Sequence, residues 1–255
     1  MDAGPRTSTL ATRGQPSRWL WPLGNALQLA FTLAWSVACI SLALLVRLLT
    51  GSQRLPLAMA RRLWAPGLLL GAGVRLRVEG AEAIDWSRPM VLAASHQSVI
   101  DVCVLFRAVP VPLRFLLKDE LTRVPFLGWY TRAMGMVGVR RGKGRAAAAS
   151  VERAAALVRG GATLATFPEG TRGKPGQLGP FKGGAFQVAL AAAVPVLPVA
   201  IVDSGRVLPP GGFRVRPGRI TVRFGTPIAG DALDEDRAGL ATRTREAVQA
   251  LMAGH

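Results

Sequence analysis

Cysteine is nearly absent from this chain of 255 residues: only Cys39 and Cys103 occur, far apart and in apolar surroundings. Two cysteines, with no C-x-x-C and no Cys/His cluster, exclude a disulfide-stapled scaffold and a structural zinc site, and they fit a reduced, cytosol-facing compartment. Histidine is as scarce, limited to His96 and the terminal His255. Acidic residues are missing altogether between Ala3 and Val78, a stretch that holds Arg6, Arg13, Arg18, Arg47, Arg54, Arg61, Arg62, Arg75 and Arg77. Lysine is confined to Lys118, Lys143, Lys174 and Lys182. The rest of the 32 basic residues are arginine, set against 15 acidic ones for a net charge of +17. That balance points to an anionic partner: nucleic acid, an anionic membrane surface or a phosphorylated substrate. Ala, Gly and Pro are abundant alongside Arg, so compositional bias accounts for most of the arginines. With half its residues hydrophobic, the chain is not a disordered one, and its length suffices for one α/β domain with a short appendage.

Within the acid-free stretch lies Leu27 to Val46, twenty residues without a charge. A helix of that length spans about 30 Å, the thickness of a bilayer's hydrocarbon core. Trp19, Trp21 and Trp35 supply amphipathic rings of the kind that anchor at membrane interfaces. The run is too long, and lacks the cleavage site, for a signal peptide. A buried soluble helix is the competing reading. A second apolar segment, Leu63 to Val74, is broken by Pro66, Gly67, Gly71 and Gly73 and reads as re-entrant or interfacial. Residues 1–73 are therefore expected to attach the chain to a membrane, either spanning it or lying in one leaflet, and residues 74–255 to form an α/β domain.

From residue 74 onward strand and helix patterns alternate. Strands are expected at 74–80, 89–95, 113–118, 136–141, 162–167 and 195–202. Helices are expected at Val99–Ala108, Asp119–Met134 (kinked or split at Pro125), Arg145–Arg159 and Gly184–Ala193. Pro195 and Pro198 suggest a strand start and an edge or bulge. Residues 213–225 read as a hairpin turning at Pro217-Gly218, and a last amphipathic helix runs from Asp234 to Met252 with acids at its start. The alternation implies a mostly parallel sheet flanked by helices.

His96 is the only internal histidine, in "ASHQSVIDV", where an apolar strand ends and a helix begins. Parallel sheets place ligand sites at that end of the strand. Asp101 follows five residues later, about 140° around a helix, so the two side chains meet only if His96 precedes the helix and folds back over its first turn. A carboxylate on one ring nitrogen leaves the other free to take a proton from an alcohol. On this motif alone, a His and an Asp that merely cap a helix are the preferred reading. A second block, "TFPEGTRG" (166–173), ends another strand in an irregular loop carrying Glu169, Gly170, Thr171 and Arg172; arginine has the fork geometry that grips phosphate. A third, "GMVGVRR", ends in Arg140 and Arg141, and a fourth is the proline block at 194–201. The stretch "GVRRGKG" is no phosphate loop, having one residue too few and no Ser/Thr after its lysine.

In this order and spacing the four blocks resemble the glycerolipid acyltransferase family, its bacterial 1-acyl-sn-glycerol-3-phosphate acyltransferases in particular. The resemblance covers about residues 75–225, with "LLKDELTRVPFLGWYTRAMG" and "PFKGGAF" similar as well. It implies that His96 is the general base and Asp101 its orienting partner. It further implies that Arg141 and Arg172 hold a phosphate, with Lys118 as a further candidate, and that Glu169, Gly170 and Thr171 position the glycerol or shape the loop. Acyl-CoA or acyl carrier protein is the implied donor, a lysolipid the acceptor, and neither metal nor cofactor is implied. The expected location is a cytoplasmic membrane with the catalytic domain facing the cytosol. Ser95, Gly138 and Gly173 depart from the family's common asparagine, bulky residue and serine, which leaves open another lysolipid acceptor such as a lyso-ornithine lipid. A non-catalytic, membrane-tethered binder of anionic lipid or nucleic acid is the alternative of a different class; the chain lacks the aromatic–basic interleaving of nucleic-acid binders.

Overall fold

A computed structural model describes residues 20–139, 144–229 and 237–254. Helix α1 (Leu20–Thr50) leads into α2 (Arg54–Met59), a π-helical turn (Ala60–Trp64) and α3 (Ala65–Gly71). Then come β1 (Val74–Glu79), β2 (Val91–Ala94), α4 (Asp101–Ala108), β3 (Leu113–Lys118), α5 (Leu127–Ala133) and β4 (Val137–Val139). The chain continues through α6 (Arg145–Arg159), β5 (Thr163–Thr166), α7 (Gly184–Ala192), β6 (Val196–Val202), α8 (Ser204–Val207), β7 (Gly218–Phe224) and α9 (Arg237–Ala253). The seven strands form one sheet in the order β1-β7-β6-β2-β5-β3-β4. Every pairing is parallel except β6 with β7, so β1 and β7 run against the other five.

Strand β2 is buried from end to end because both faces of the sheet are covered, as a parallel sheet requires. Leu92 and Ala94 point to the layer of α3 and α4, while Val91 and Ala93 point to the layer of α6, α7 and α9. Outside these layers, α1 lies along α2, α3 and α5. Its apolar stretch is long enough to cross a membrane and only 11% of it is buried, so it is not the buried core helix that its composition also allowed.

Several local expectations are refined or corrected. The segment 63–74 also contributes to the fold: Ala65, Leu68, Leu69 and Ala72 are part of the main core, while Leu63 and Leu70 are exposed. Its glycines are packing glycines. A Cβ on Gly67 would stand 2.5 Å from the Trp35 ring and one on Gly71 would stand 2.4 Å from Phe31, so α1 and α3 meet at a seam only glycine permits. Trp35 accordingly turns inward, its indole N–H donating to the Trp64 carbonyl at 3.1 Å. Replacing Gly67 by leucine is expected to overpack this seam at a cost of about 1–3 kcal/mol, read as a lowered Tm of the detergent-solubilised protein. An unchanged Tm would show that α1 tolerates separation from α3.

The hairpin at 213–225 does not form. Only β7 is a strand, and both its edges are already filled by β1 and β6. Residues 213–217 instead run back over the core, with Val215 N–H donating to Asn25 at 2.9 Å and Arg216 N–H to the Val207 carbonyl at 2.8 Å. Nor is β6 an edge strand. Pro198 sits in its middle, where the ladder passes from Phe224 to the isolated bridge Val196–Ile228. Its carbonyl accepts Gly225 N–H at 2.9 Å, and the break in the ladder asks for no donor there. The split that Pro125 allowed does occur: residues 119–134 form a 3-10 turn (Asp119–Arg123) and α5, with Pro125 in the break and Phe126 at φ 59°. Trp19, Arg140, Arg141 and the acid-bearing start of the last helix at Asp234 lie outside the described residues, as does the Trp21 side chain.

Candidate active site

His96 lies in the turn between β2 and α4, and Asp101 is the first residue of α4. The ring folds back as the spacing demands: its Nδ1 stands 2.9 Å from Asp101 Oδ2. The same carboxylate oxygen accepts the backbone N–H groups of Gln97 and Ser98, each at 2.8 Å. Asp101 is fully buried, so three donors converge on one oxygen in a dry environment and fix both the turn and the ring. With Nδ1–H donating to Asp101, Nε2 is the nitrogen with a free lone pair. Phe167 stacks on the imidazole, ring centroids 3.9 Å apart.

The 166–173 loop clamps the histidine's main chain. Glu169 Oε1 accepts His96 N–H and its Oε2 accepts Gly179 N–H, both at 2.8 Å, while Gly173 N–H donates to the His96 carbonyl at 2.8 Å. Burial pushes the Glu169 carboxyl up from its ordinary value, opposed by these two N–H donors. Of the two roles open to it, Glu169 therefore has the geometry of loop shaping, because both its oxygens are engaged by backbone. Gly170 takes a left-handed turn at φ 70°, and a Cβ there would stand 3.0 Å from Lys182 Nζ.

His96 opens onto a cavity of about 1190 Å³. Lys118, Gly170, Thr171, Arg172 and Lys182 contribute polar and cationic lining, and Cys39, Ala43, Met59, Trp64, Tyr130 and Met136 contribute apolar lining that reaches α1. The structure thus brings together His96, Asp101, Lys118, Glu169, Gly170, Thr171 and Arg172. Lys118 also pairs with Glu120 at 3.0 Å. Two neighbours escaped the sequence reading: Phe167, although it stands inside the 166–173 block, and Lys182, which as one of four lysines among so many arginines was a signal not used.

The three departures have local explanations. Ser95 Oγ accepts Ile201 N–H at 2.8 Å, tying the end of β2 to β6. A Cβ on Gly138 would stand 2.9 Å from Asp119 Oδ1 and 3.0 Å from Thr122 Cγ2, so the 119–123 turn occupies the space of a larger side chain. A Cβ on Gly173 would come within 3.1 Å of Glu169 Oε2 and of the Gln177 carbonyl.

A histidine oriented by a buried carboxylate, at the carboxyl ends of the parallel strands and over a cavity with both apolar and cationic lining, is equipped to deprotonate a hydroxyl on an amphiphilic, anionic molecule. Residues 75–202 match the model of the family described as Acyltransferase, and the chain belongs to that family. It is 33% identical over 175 residues to the chloroplastic 1-acyl-sn-glycerol-3-phosphate acyltransferase BAT2 of Brassica napus, covering 68% of this chain and 50% of that one. It is 35% identical over 155 residues to the 1-acyl-sn-glycerol-3-phosphate acyltransferase of Pseudomonas aeruginosa, covering 60% and 59% respectively. The chain spans about half the length of the chloroplast relatives it matches. In fold it superposes on the crystal structure of the 1-acyl-sn-glycerophosphate acyltransferase PlsC of Thermotoga maritima with a TM-score of 0.80, at 23% identity, over 93% of this chain and 96% of that one.

Proposed function

We propose that the chain transfers a fatty acyl group from an acyl thioester to the sn-2 hydroxyl of 1-acyl-glycerol-3-phosphate, giving phosphatidate. The observation that carries this reading is the 2.9 Å His96–Asp101 contact facing a cavity both apolar and cationic; the names of the relatives support the acceptor. His96 Nε2 takes the hydroxyl proton as the oxygen attacks the thioester carbonyl, and Asp101 stabilises the imidazolium that forms. The tetrahedral intermediate collapses with loss of the thiolate, which takes up the proton from His96, so ester and free thiol are the products. The thioester brings its own leaving group, and no step requires a metal or cofactor. Arg172, Lys118 and Arg141 bind the phosphate, Gly170 and Thr171 shape the glycerol end, and the apolar lining receives an acyl chain. Acyl-CoA and acyl carrier protein are both accepted in principle as donor, since each presents the same thioester.

The assay is release of free thiol from acyl-CoA by purified protein, with lysophosphatidate, lyso-ornithine lipid and uncharged monoacylglycerol side by side. Dependence on lysophosphatidate supports the proposal, and preference for an acceptor without phosphate refutes the acceptor while leaving the histidine chemistry standing. Arg172→Ala is expected to lower kcat/KM for lysophosphatidate roughly ten- to a hundredfold, the worth of a charge-assisted hydrogen bond, and to move the KM of the thioester far less. Equal damage to both substrates would make Arg172 a brace of the loop.

The exposed apolar helix α1 is compatible with membrane association. We propose that residues 1–73 attach the protein to the cytoplasmic face of a membrane while residues 74–255 catalyse. The arginine excess then docks on anionic lipid and not on nucleic acid, each residue near the surface contributing about 1 kcal/mol. Cell fractionation should find the protein in membranes and resistant to salt washing; release by high salt alone would contradict insertion of α1.

A further inference from the structure

At the opposite end of the sheet from His96 lies a second cavity, of about 950 Å³. Residues just before β2, β3, β4 and β5 border it: Trp86 to Arg88, Pro112, Gly135 and Ala162. The strands that separate it from the catalytic end are three to six residues long, at about 3.3 Å each, and the two cavities approach each other at Met136, which lines both. Its charge is one-sided. Arg54, Arg88, Arg114 and Arg153 line it, and among the described residues no acidic one does.

The pairing of these arginines separates the cavity from an ordinary solvated basic face. Arg88 is exposed and pairs with Asp85 at 3.3 Å. Arg114 is half-buried on β3, and its bonds go only to neutral acceptors: Nε to the Met134 carbonyl at 3.0 Å and Nη2 to Gln53 Oε1 at 2.9 Å. Arg153 donates to Ser150 Oγ at 3.1 Å. Among the described residues, Arg54, Arg114 and Arg153 have no carboxylate within ion-pair distance. Burial lowers the Arg114 pKa from its ordinary value, with no anion to offset the cost. The C-terminal end of α6, at Gly160, also faces the cavity and contributes about half a negative charge, far less than four guanidinium groups supply.

We propose that this cavity is a second anion site, which binds a phosphate group through Arg54, Arg114 and Arg153. The planar guanidinium fork pairs with two oxygens of a tetrahedral phosphate at once, which a single-atom halide cannot offer. Two sources fit the chemistry. The cavity adjoins the exit of α1, where Leu48, Leu49 and Leu55 are exposed, so the headgroup of an anionic phospholipid reaches it if α1 lies in the bilayer. A free phosphate compound reaches it from solvent.

The test uses the full chain in detergent micelles and inorganic phosphate as probe, with binding measured by calorimetry. Three variants are compared: R54Q/R153Q, which touches exposed arginines outside the catalytic machinery; R214Q/R219Q, which removes the same charge elsewhere on the surface; and R172Q. Phosphate affinity is expected to fall roughly ten- to a hundredfold in R54Q/R153Q and to hold in R214Q/R219Q. A second arm measures binding to phosphatidylcholine vesicles with and without phosphatidylglycerol. Preference for the anionic vesicles that is lost only in R54Q/R153Q identifies a lipid headgroup as the source; loss of phosphate affinity with vesicle preference intact identifies a free phosphate compound. Phosphate binding that R172Q abolishes and R54Q/R153Q leaves whole would assign all of it to the catalytic cavity and overturn the proposal. So would R54Q/R153Q behaving like R214Q/R219Q in both arms, or a wild-type chain that neither binds phosphate nor prefers the anionic vesicles.

Discussion

His96→Ala is expected to lower kcat for acyl transfer by roughly a hundred- to ten-thousandfold, the range that a positioned general base contributes. The ring is partly exposed to the cavity and anchors no other side chain except through Asp101 and the Phe167 stack, so its loss should leave the fold intact. The main-chain clamp survives the substitution, because both the N–H to Glu169 and the carbonyl from Gly173 belong to backbone. Unchanged thermal unfolding together with lost turnover is the expected pair of measurements. Near-normal turnover would remove His96 from the mechanism altogether.

Asp101→Asn should be nearly as damaging, for a different reason. Its carboxamide oxygen can still accept the N–H groups of Gln97, Ser98 and the imidazole, so the turn persists. What disappears is the negative charge beside the imidazolium that forms as the hydroxyl proton is transferred, and this loss is felt in the transition state more than in substrate binding. A fall in kcat of about a hundredfold or more, with KM for both substrates little changed, is the expected signature. A KM effect that dominates would instead make Asp101 a residue that shapes the acceptor site.

How far the sequence revealed this arrangement depended on whether the decisive contacts were local. The His96–Asp101 contact was legible as a possibility because five residues, one strand end and one helix start bring the two together, while its role came from the resemblance of the four blocks to a family. Strand β3 and helix α6 fell where the periodicity put them, since each presents an unbroken pattern to one neighbour. The hairpin failed because the Pro217-Gly218 signal says nothing about β1, some 140 residues earlier, which takes the edge a hairpin partner needs. Gly67 and Gly71 read as helix breakers because the aromatic rings they admit, Trp35 and Phe31, come from another helix. Lys182 entered the site by the same route, through tertiary proximity that no spacing encodes.

The double clasp on the His96 backbone has a metric consequence. Gly173, whose N–H holds the His96 carbonyl at 2.8 Å, is the residue next to Arg172. Two hydrogen bonds thus tie the backbone that carries Arg172 to the backbone that carries His96. If these residues take the anion and the proton as proposed, the loop sets the span between them, and an acceptor whose hydroxyl lies one carbon farther from its anionic group is expected to turn over more slowly.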